Sequence, residues 1–198
     1  MLNIKSVAAL GLSILLSATS VMPATAALVY DPLNANWIDS SQLPKRSPRA
    51  GSPIQKEIVE YETSQAPGTI VIETGERRLY LVLEDGKALK YGIGVGRDGF
   101  TWAGTHRITR KAEWPGWTPP AQMRKRVPDL PAYMEGGPDN PLGARALYIG
   151  STLYRVHGTS EPWSIGQAVS SGCIRLTNED VTDLYERVAV GARIVVNH

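Results

Sequence analysis

Thr69-Ile70-Val71-Ile72 and Leu79-Tyr80-Leu81-Val82-Leu83 are two short runs dominated by β-branched, aromatic and other apolar side chains. Runs of about four to eight such residues, bounded by turn residues, are typical of β-strands. Asp85-Gly86 follows the second run and predicts a hairpin turn into a third strand over Ala88 to Val95. This part of the chain therefore predicts a sheet of short neighbouring strands.

The chain beyond these strands continues in the same pattern and adds a helix. Thr177 and Asp180 form a capping box, behind which apolar residues recur at helical spacing as far as Val188. Pro162 to Gly166 predicts a second, short helix. The fold class is therefore mostly β with a minor helical part. Further strands are predicted at Arg107 to Lys111, Ala146 to Ile149, Tyr154 to His157 and Arg193 to Val196.

A long segment from Ala112 to Arg145 is rich in proline, glycine and tryptophan and shows no regular periodicity. Long irregular segments inside a compact domain are often lids or binding loops. Trp114, Trp117 and Tyr133 would give such a lid an apolar surface that limits water, and packing within the loop is the alternative role for these aromatic residues.

The N-terminal region predicts export. Lys5 precedes a mostly apolar run from Val7 to Met22, and Ala24-Thr25-Ala26 supplies a cleavage site, so residues 1–26 are predicted to be a signal peptide. The alternative, a permanent membrane helix, fits less well because a bilayer requires about 20 apolar residues. Residues 27–67 are punctuated by prolines and predict a connector, and residues 68–197 form the remaining domain. We expect no integral membrane segment after signal removal.

The composition excludes several classes of function. The 198 residues carry 21 basic and 19 acidic side chains, a near balance that gives no reason to expect nucleic acid as a partner. One cysteine and three scattered histidines cannot form a zinc site without carboxylates, so we expect no metal and no cofactor.

The single cysteine, Cys173, is either buried and inert or a reactive thiol, because no second cysteine can form a disulfide with it.

The neighbours of Cys173 favour the reactive alternative. It lies in Ser170-Ser171-Gly172-Cys173-Ile174-Arg175-Leu176, where Arg175 would share a strand face with the thiol and favour its thiolate. Gly172 would let a substrate approach the backbone closely. The N–H groups of Gly172 and Cys173 could then stabilise an oxyanion.

A nucleophilic cysteine also needs a base, and His157 is the best placed histidine. It ends a predicted strand and is followed by Gly158-Thr159, whereas His106 is predicted to lie on the surface and His198 is the terminal residue. The order of base, nucleophile and arginine differs from papain-like hydrolases, in which cysteine precedes histidine. Sortases share the order but with far wider spacing.

Tyr154-Arg155-Val156-His157-Gly158-Thr159 and the segment from Ser170 to Leu176 resemble the catalytic domain of bacterial L,D-transpeptidases. Gly137-Pro138-Asp139-Asn140-Pro141-Leu142-Gly143 and the closing Gly191-Ala192-Arg193-Ile194-Val195-Val196 are also similar to that family, so the resemblance covers residues 68–197. It implies a β-sandwich-like L,D-transpeptidase catalytic domain, located in the periplasm or at the cell wall.

The resemblance also implies the chemistry and the partners. Cys173 would be the nucleophile, His157 the general base and acid, and the Gly172 backbone an oxyanion donor. The enzyme would cleave the diaminopimelate–D-alanine bond of peptidoglycan tetrapeptide stems through a thioester. It would then transfer the acyl group to an amine, either on another stem, on an outer-membrane protein or on a free D-amino acid. The resemblance assigns substrate binding to Arg175, Ser170, Ser171, Gly158 and Thr159.

Two positions depart from the family pattern, and two alternatives to transfer stay open. The family often has histidine where this chain has Ser171, so a backbone carbonyl is expected to orient the base. The family's Thr-Pro-x-Gly turn reads Thr101-Trp102-Ala103-Gly104 here. An L,D-carboxypeptidase would use water as the acceptor, and a non-catalytic wall-binding module would leave Cys173 inert.

Overall fold

The computed structural model describes residues 28–31, 36–39 and 52–198. The predicted signal peptide, residues 1–26, lies outside these residues, as does most of the first half of the predicted connector. In the part of the chain that is described, no helix is long and apolar enough to cross a membrane.

Strands dominate the structure. They are β1 Leu28–Asp31, β2 Asn36–Asp39, β3 Glu57–Glu60, β4 Ile70–Glu73, β5 Arg78–Val82, β6 Lys87–Gly92, β7 Val95–Gly96, β8 Gly104–Glu113, β9 Arg145–Ile149, β10 Arg155–His157, β11 Ala168–Ser170, β12 Ile174–Arg175 and β13 Arg193–Asn197. The helices are α1 Ala121–Arg126, α2 Asn178–Arg187 and a short 3-10 turn at Pro162–Ser164. The predicted fold class, mostly β with a minor helical part, is confirmed.

Most strands belong to a nine-stranded sheet in the order β12-β10-β9-β8-β13-β4-β5-β6-β3. Strand β8 joins the two halves of this sheet, because its first residues pair with β13 and its later residues pair with β9. The pairing shifts register between Ile108 and Arg110, a bulge of the kind that bends a strand from one layer towards another. Both halves bury apolar side chains in one core, as a β-sandwich-like domain requires.

The central strands owe their position to uninterrupted apolar sequence. Ile70, Val71 and Ile72 in β4 are all buried, which suits a strand with neighbours on both sides, here β13 and β5. Strand β3, in contrast, is an edge strand of the sheet, and its Glu57 and Glu60 are exposed. It belongs to the segment predicted as a connector, as do β1 and β2, so the structure adds three strands there that the sequence analysis did not predict.

Helix α2 begins as the capping box predicts. The Asp180 N–H donates to the Thr177 hydroxyl over 3.1 Å, and Val181 and Leu184 are fully buried. The helix packs on β9 and β10. At its other end, the Lys111 ammonium donates to the Val188 carbonyl oxygen over 2.7 Å, which satisfies a carbonyl that the helix leaves open.

The segment between β8 and β9 has a small core of its own. Trp117 is buried with Met123, Leu130 and Leu142, and Trp117 also pairs with Met134 through a backbone bridge. Trp114 and Tyr133, in contrast, are exposed. Packing within the loop is therefore confirmed for Trp117, and the proposal that this segment acts as a lid stays a prediction.

Candidate active site

Strand β10 lies between β9 and β12 and presents polar side chains on one face of the sheet. It runs parallel to β12, with Val156 opposite Ile174 and His157 opposite Arg175. Side chains alternate between the two faces of a strand, and Val156 and Ile174 point into the core, where they are 0% and 1% exposed. His157 and Arg175 therefore share the other face.

The same register brings the predicted nucleophile to that face. Cys173 immediately precedes β12, and continuing the register by one residue puts it opposite Arg155, two residues before Arg175. One strand spacing across and two residues along separate the Cα atoms of Cys173 and His157 by about 8 Å, a diagonal that a long side chain can span. The register therefore places the predicted base on β10 and the predicted nucleophile next to β12, on the same face of the sheet.

His157 is held by the backbone next to it. The side chain is nearly buried, and its Nδ1 atom lies 2.6 Å from the Gly158 carbonyl oxygen. Because a carbonyl oxygen can only accept, Nδ1 carries the proton and Nε2 keeps its lone pair. The expectation that a backbone carbonyl orients the base is confirmed.

The surroundings of His157 keep its imidazole neutral. Its pKa is lowered from 6.5 to about 3, chiefly by burial and secondarily by the charge of Arg175. The carbonyl oxygens of Gly158 and Leu142 oppose this shift, because both would accept from an imidazolium. A neutral imidazole is the form that can take a proton from a thiol.

This shift predicts a specific loss of stability in acid. Between pH 6.5 and about 3 the unfolded chain binds a proton at His157 that the folded chain does not bind. The free energy of unfolding should therefore fall as the pH falls through this window, by up to about 1.4 kcal/mol per pH unit from this group. Urea titrations across the window would measure this slope, and His157→Gln should make it shallower. Equal slopes in the parent chain and the variant would contradict the assignment.

Cys173 carries a protonated thiol at rest. It is half-buried, and its Sγ atom lies 4.0 Å from the Leu153 carbonyl oxygen. Burial raises the pKa of the thiol above its ordinary value, and the charge of Arg155 is the largest influence in the opposite direction. The resting pair is therefore a thiol and a neutral imidazole rather than a thiolate–imidazolium ion pair.

The turn before Cys173 is fixed by Ser170. The Ser170 hydroxyl donates to the Cys173 carbonyl oxygen over 2.6 Å and accepts from the Gly172 N–H over 3.1 Å. The Gly172 N–H, predicted as an oxyanion donor, is thus engaged within the turn. Gly172 has a φ of +103°, and a Cβ there would lie 2.4 Å from the Tyr154 ring, so only glycine fits.

Trp102 contacts the turn that precedes Cys173. It lies in Thr101-Trp102-Ala103-Gly104, where the sequence departs from the Thr-Pro-x-Gly pattern of the family. Its indole Nε1 donates to the Gly172 carbonyl oxygen over 2.8 Å. Its ring stacks on Tyr154 with the centroids 4.6 Å apart and the planes 2° from parallel. The departure at position 102 therefore supplies a contact to the backbone of the nucleophile turn.

Replacing Trp102 with phenylalanine should keep much of the stack and remove the hydrogen bond to Gly172. We expect a loss of about 1 kcal/mol in the free energy of unfolding, the usual net value of one hydrogen bond. We also expect slower alkylation of Cys173, because the turn loses its external contact. Trp114→Phe, at an exposed site, is the matched control and should change neither measurement. If the two variants lost the same amount of stability and were alkylated at the same rate, Trp102 would not position the turn.

Arg175 is paired inside the protein. Its guanidinium lies 3.5 Å from the Glu161 carboxylate, and the two side chains are only 7% and 4% exposed. This buried pair connects β12 to the loop that follows His157. The predicted role of Arg175 in binding substrate stays a prediction, because its charge is directed at a buried carboxylate.

The other predicted substrate residues lie in the walls of the site. Gly158 and Thr159 are buried, and the Thr159 hydroxyl accepts from the Glu161 N–H over 3.0 Å. A Cβ on Gly158 would lie 2.3 Å from the Asn178 side-chain oxygen, so glycine lets the start of α2 approach. Ser171 is half-buried beside Gly172. Substrate contacts of these residues remain predictions.

Arg155 is the residue of the site that the sequence analysis missed. Residues two positions apart on a strand share a face. This puts Arg155 on the same face of β10 as His157, just as it puts Cys173 on the same face as Arg175. Its proximity to Cys173 depends on pairing between β10 and β12, which local sequence does not reveal. Among the residues that the structure describes, no group of three or more metal-binding side chains comes together.

The candidate site thus combines a cysteine and a neutral histidine on one face of a β-sandwich-like domain. Residues 67–196 match the family model described as the L,D-transpeptidase catalytic domain, YkuD. The chain belongs to this family.

Curated relatives agree with this assignment. The probable L,D-transpeptidases ErfK/SrfK and YbiS of Escherichia coli are 42% and 45% identical to the chain over 136 and 134 residues. These matches cover 64% and 63% of the chain but only 43% of each relative, so the chain spans less than half the length of these relatives.

Solved structures share the fold. A crystal structure of a probable carnitine operon oxidoreductase from Brucella melitensis is 43% identical, with a TM-score of 0.51 over 75% of this chain and 96% of that one. An L,D-transpeptidase from Mycobacterium smegmatis has a TM-score of 0.52 over 66% of this chain and 58% of that one. At 21% identity, the latter supports the fold alone.

Proposed function

We propose that the chain is a cysteine L,D-transpeptidase that acts on peptidoglycan tetrapeptide stems. The observation that carries this proposal is the parallel pairing of β10 with β12, which puts His157 and the residue position of Cys173, next to β12, on one face of the sheet, with Nδ1 of His157 bound to the Gly158 carbonyl oxygen. Membership of the L,D-transpeptidase family supports the substrate class. The enzyme would cleave the diaminopimelate–D-alanine bond and pass the acyl group to an amine.

The reaction begins with proton transfer within the neutral pair. Nε2 of His157 takes the thiol proton as Sγ of Cys173 adds to the diaminopimelate carbonyl, so that the S–H bond breaks while N–H and S–C bonds form. The imidazolium then returns the proton to the nitrogen of the departing D-alanine. The result is a thioester on Cys173 and free D-alanine.

The second half reverses these roles. An incoming amine attacks the thioester, His157 accepts a proton from it, and the thiol is regenerated when the new amide forms. We propose the Cys173 N–H as an oxyanion donor in both halves. The Gly172 N–H can be a second donor only if it breaks its hydrogen bond to the Ser170 hydroxyl and donates to the oxyanion instead. The oxyanion is negatively charged and is therefore the stronger acceptor.

The location and the partners follow from this chemistry. A substrate in the cell wall requires export, for which residues 1–26 supply the predicted signal peptide, and we propose a periplasmic or wall-associated enzyme of cell-wall biogenesis. Its partners would be stem peptides and, as acceptors, either a second stem, an outer-membrane protein or a D-amino acid.

Product analysis tests this proposal and separates it from hydrolysis. The chain is incubated with purified disaccharide-tetrapeptide, with and without an added D-amino acid, beside Cys173→Ser. A transpeptidase releases D-alanine and forms a product that contains the new amine. Disaccharide-tripeptide alone, whatever amine is added, would identify an L,D-carboxypeptidase, and no D-alanine release would leave a wall-binding module as the better account.

A further inference from the structure

Arg155 occupies a row of side chains that crosses three strands and ends at Cys173, the residue before β12. Arg110 pairs with Tyr148 across β8 and β9, and Tyr148 pairs with Arg155 across β9 and β10. Continued by one residue, the register of β10 and β12, which pairs Val156 with Ile174, puts Cys173 opposite Arg155. We call Arg110, Tyr148, Arg155 and Cys173 the thiol row.

The Tyr148 ring separates the two arginines of the thiol row. The guanidinium carbon of Arg110 lies 3.5 Å from the ring centroid and that of Arg155 lies 5.5 Å from it. Stacking of this kind favours a cation over an aromatic face. It restrains Arg155 on the side of the ring that faces the thiol.

Arg155 carries the uncompensated charge of the site. The structure gives it no ion pair with any described carboxylate, whereas Arg175 lies against Glu161. The Nε atom of Arg155 is buried and has no hydrogen-bond acceptor among the described residues. Buried donors are normally satisfied, so a site with an open guanidinium donor suits an anion.

The other groups near the thiol do not supply a fixed, open positive charge. Ser171 is neutral, and His157 is uncharged until it takes the thiol proton. Arg97, on the segment that packs against Gly172, directs its guanidinium at the Phe100 ring, 4.9 Å away. The titratable and charged groups around Cys173 are thus Arg155 and His157 on β10, Tyr148 on β9, Arg175 on β12 with its partner Glu161, and Tyr154 and Arg97 in the flanking loops.

We propose that Arg155 is a positioning residue of the reaction, a cation held opposite Cys173 that stabilises the negative charge on Sγ when the thiol loses its proton. In that step the S–H bond breaks, Nε2 of His157 gains the proton, and Arg155 faces the new thiolate. This role rests on the function proposed for Cys173, but the charge on Sγ can be measured without any turnover.

The test is the pH dependence of Cys173 alkylation by iodoacetamide, followed by intact mass on the full chain. Arg155→Met removes the charge and keeps much of the apolar stem. We expect the midpoint of its alkylation profile to rise by about one pH unit, with about tenfold slower alkylation below the midpoint. Arg155→Lys keeps a cation and should stay close to the parent chain.

Arg110→Met is the matched control, because it removes a cation from the far side of the Tyr148 ring. It should leave the alkylation profile in place. If Arg155→Met does not fold, Arg155→Gln takes its place in the same measurement. Identical profiles for the parent chain and a folded neutral variant would overturn the proposal, as would an equal shift in Arg110→Met. A shifted profile in a chain that forms no acyl-enzyme would support the role of Arg155 and count against the proposed function.

Discussion

Replacement of Cys173 with serine is expected to lower D-alanine release from disaccharide-tetrapeptide by about 10⁴-fold or more, the scale on which loss of a nucleophile acts. A serine hydroxyl is far less acidic than a thiol, so in the proposed reaction the neutral imidazole of His157 would remove its proton far less readily. The measurement is the initial rate of D-alanine release.

The fold should survive this replacement. The Cys173 side chain is half-buried, and its Sγ atom lies 4.0 Å from the Leu153 carbonyl oxygen, so an oxygen in place of sulfur is easily accommodated. A melting temperature close to that of the parent chain is the control. A folded Cys173→Ser chain with undiminished release would show that the chemistry lies elsewhere.

Replacement of His157 with glutamine should lower the rate of acyl-enzyme formation by about 10²- to 10⁴-fold near neutral pH, the usual contribution of a general base. Glutamine fills much of the same space and retains hydrogen-bonding groups, but it cannot take the thiol proton. The remaining rate should climb with pH, because attack then depends on thiolate formed without the imidazole. Rates of adduct formation between pH 6 and 9 would test this expectation.

His198→Gln is the matched control for this variant. His198 lies at the exposed end of the chain, where its ring nitrogen contacts the Thr74 hydroxyl, and its replacement should leave the rate unchanged. If His157→Gln reacted at the parent rate with the same pH dependence, His157 could not be the base.

Much of the fold could be predicted because its signals are local. The strands at Ile70–Glu73 and Arg78–Val82 follow apolar runs, and α2 follows a capping box. Strand β12 agrees with the extended conformation assumed for Cys173 and Arg175, but its bounds could not be predicted, because it has only two residues and depends on its neighbours in the sheet. Strand β3 was missed for a related reason, since its polar sequence becomes a strand only by pairing with β6.

The site divides in the same way. The prediction of Cys173 and His157 as site residues rests on residue chemistry and spacing, and their catalytic roles stay predictions. The pairing of Arg175 with Glu161 and the engagement of the Gly172 N–H by Ser170 could not be predicted, because both depend on how two loops fold against each other. The alternation of side chains along a strand would have put Arg155 on the same face as His157. Its position opposite Cys173 could not be predicted, because it depends on the parallel register of β10 and β12.

Intact-protein mass spectrometry tests the central claim, that Cys173 forms an acyl-enzyme, most directly. The chain is incubated with disaccharide-tetrapeptide without an amine acceptor and quenched in acid. Its intact mass is measured, and it is then digested to locate any adduct. We predict an adduct equal to the substrate minus D-alanine on the peptide that contains Cys173, and none on Cys173→Ser. An adduct on another residue, or equal product formation by Cys173→Ser, would contradict the account.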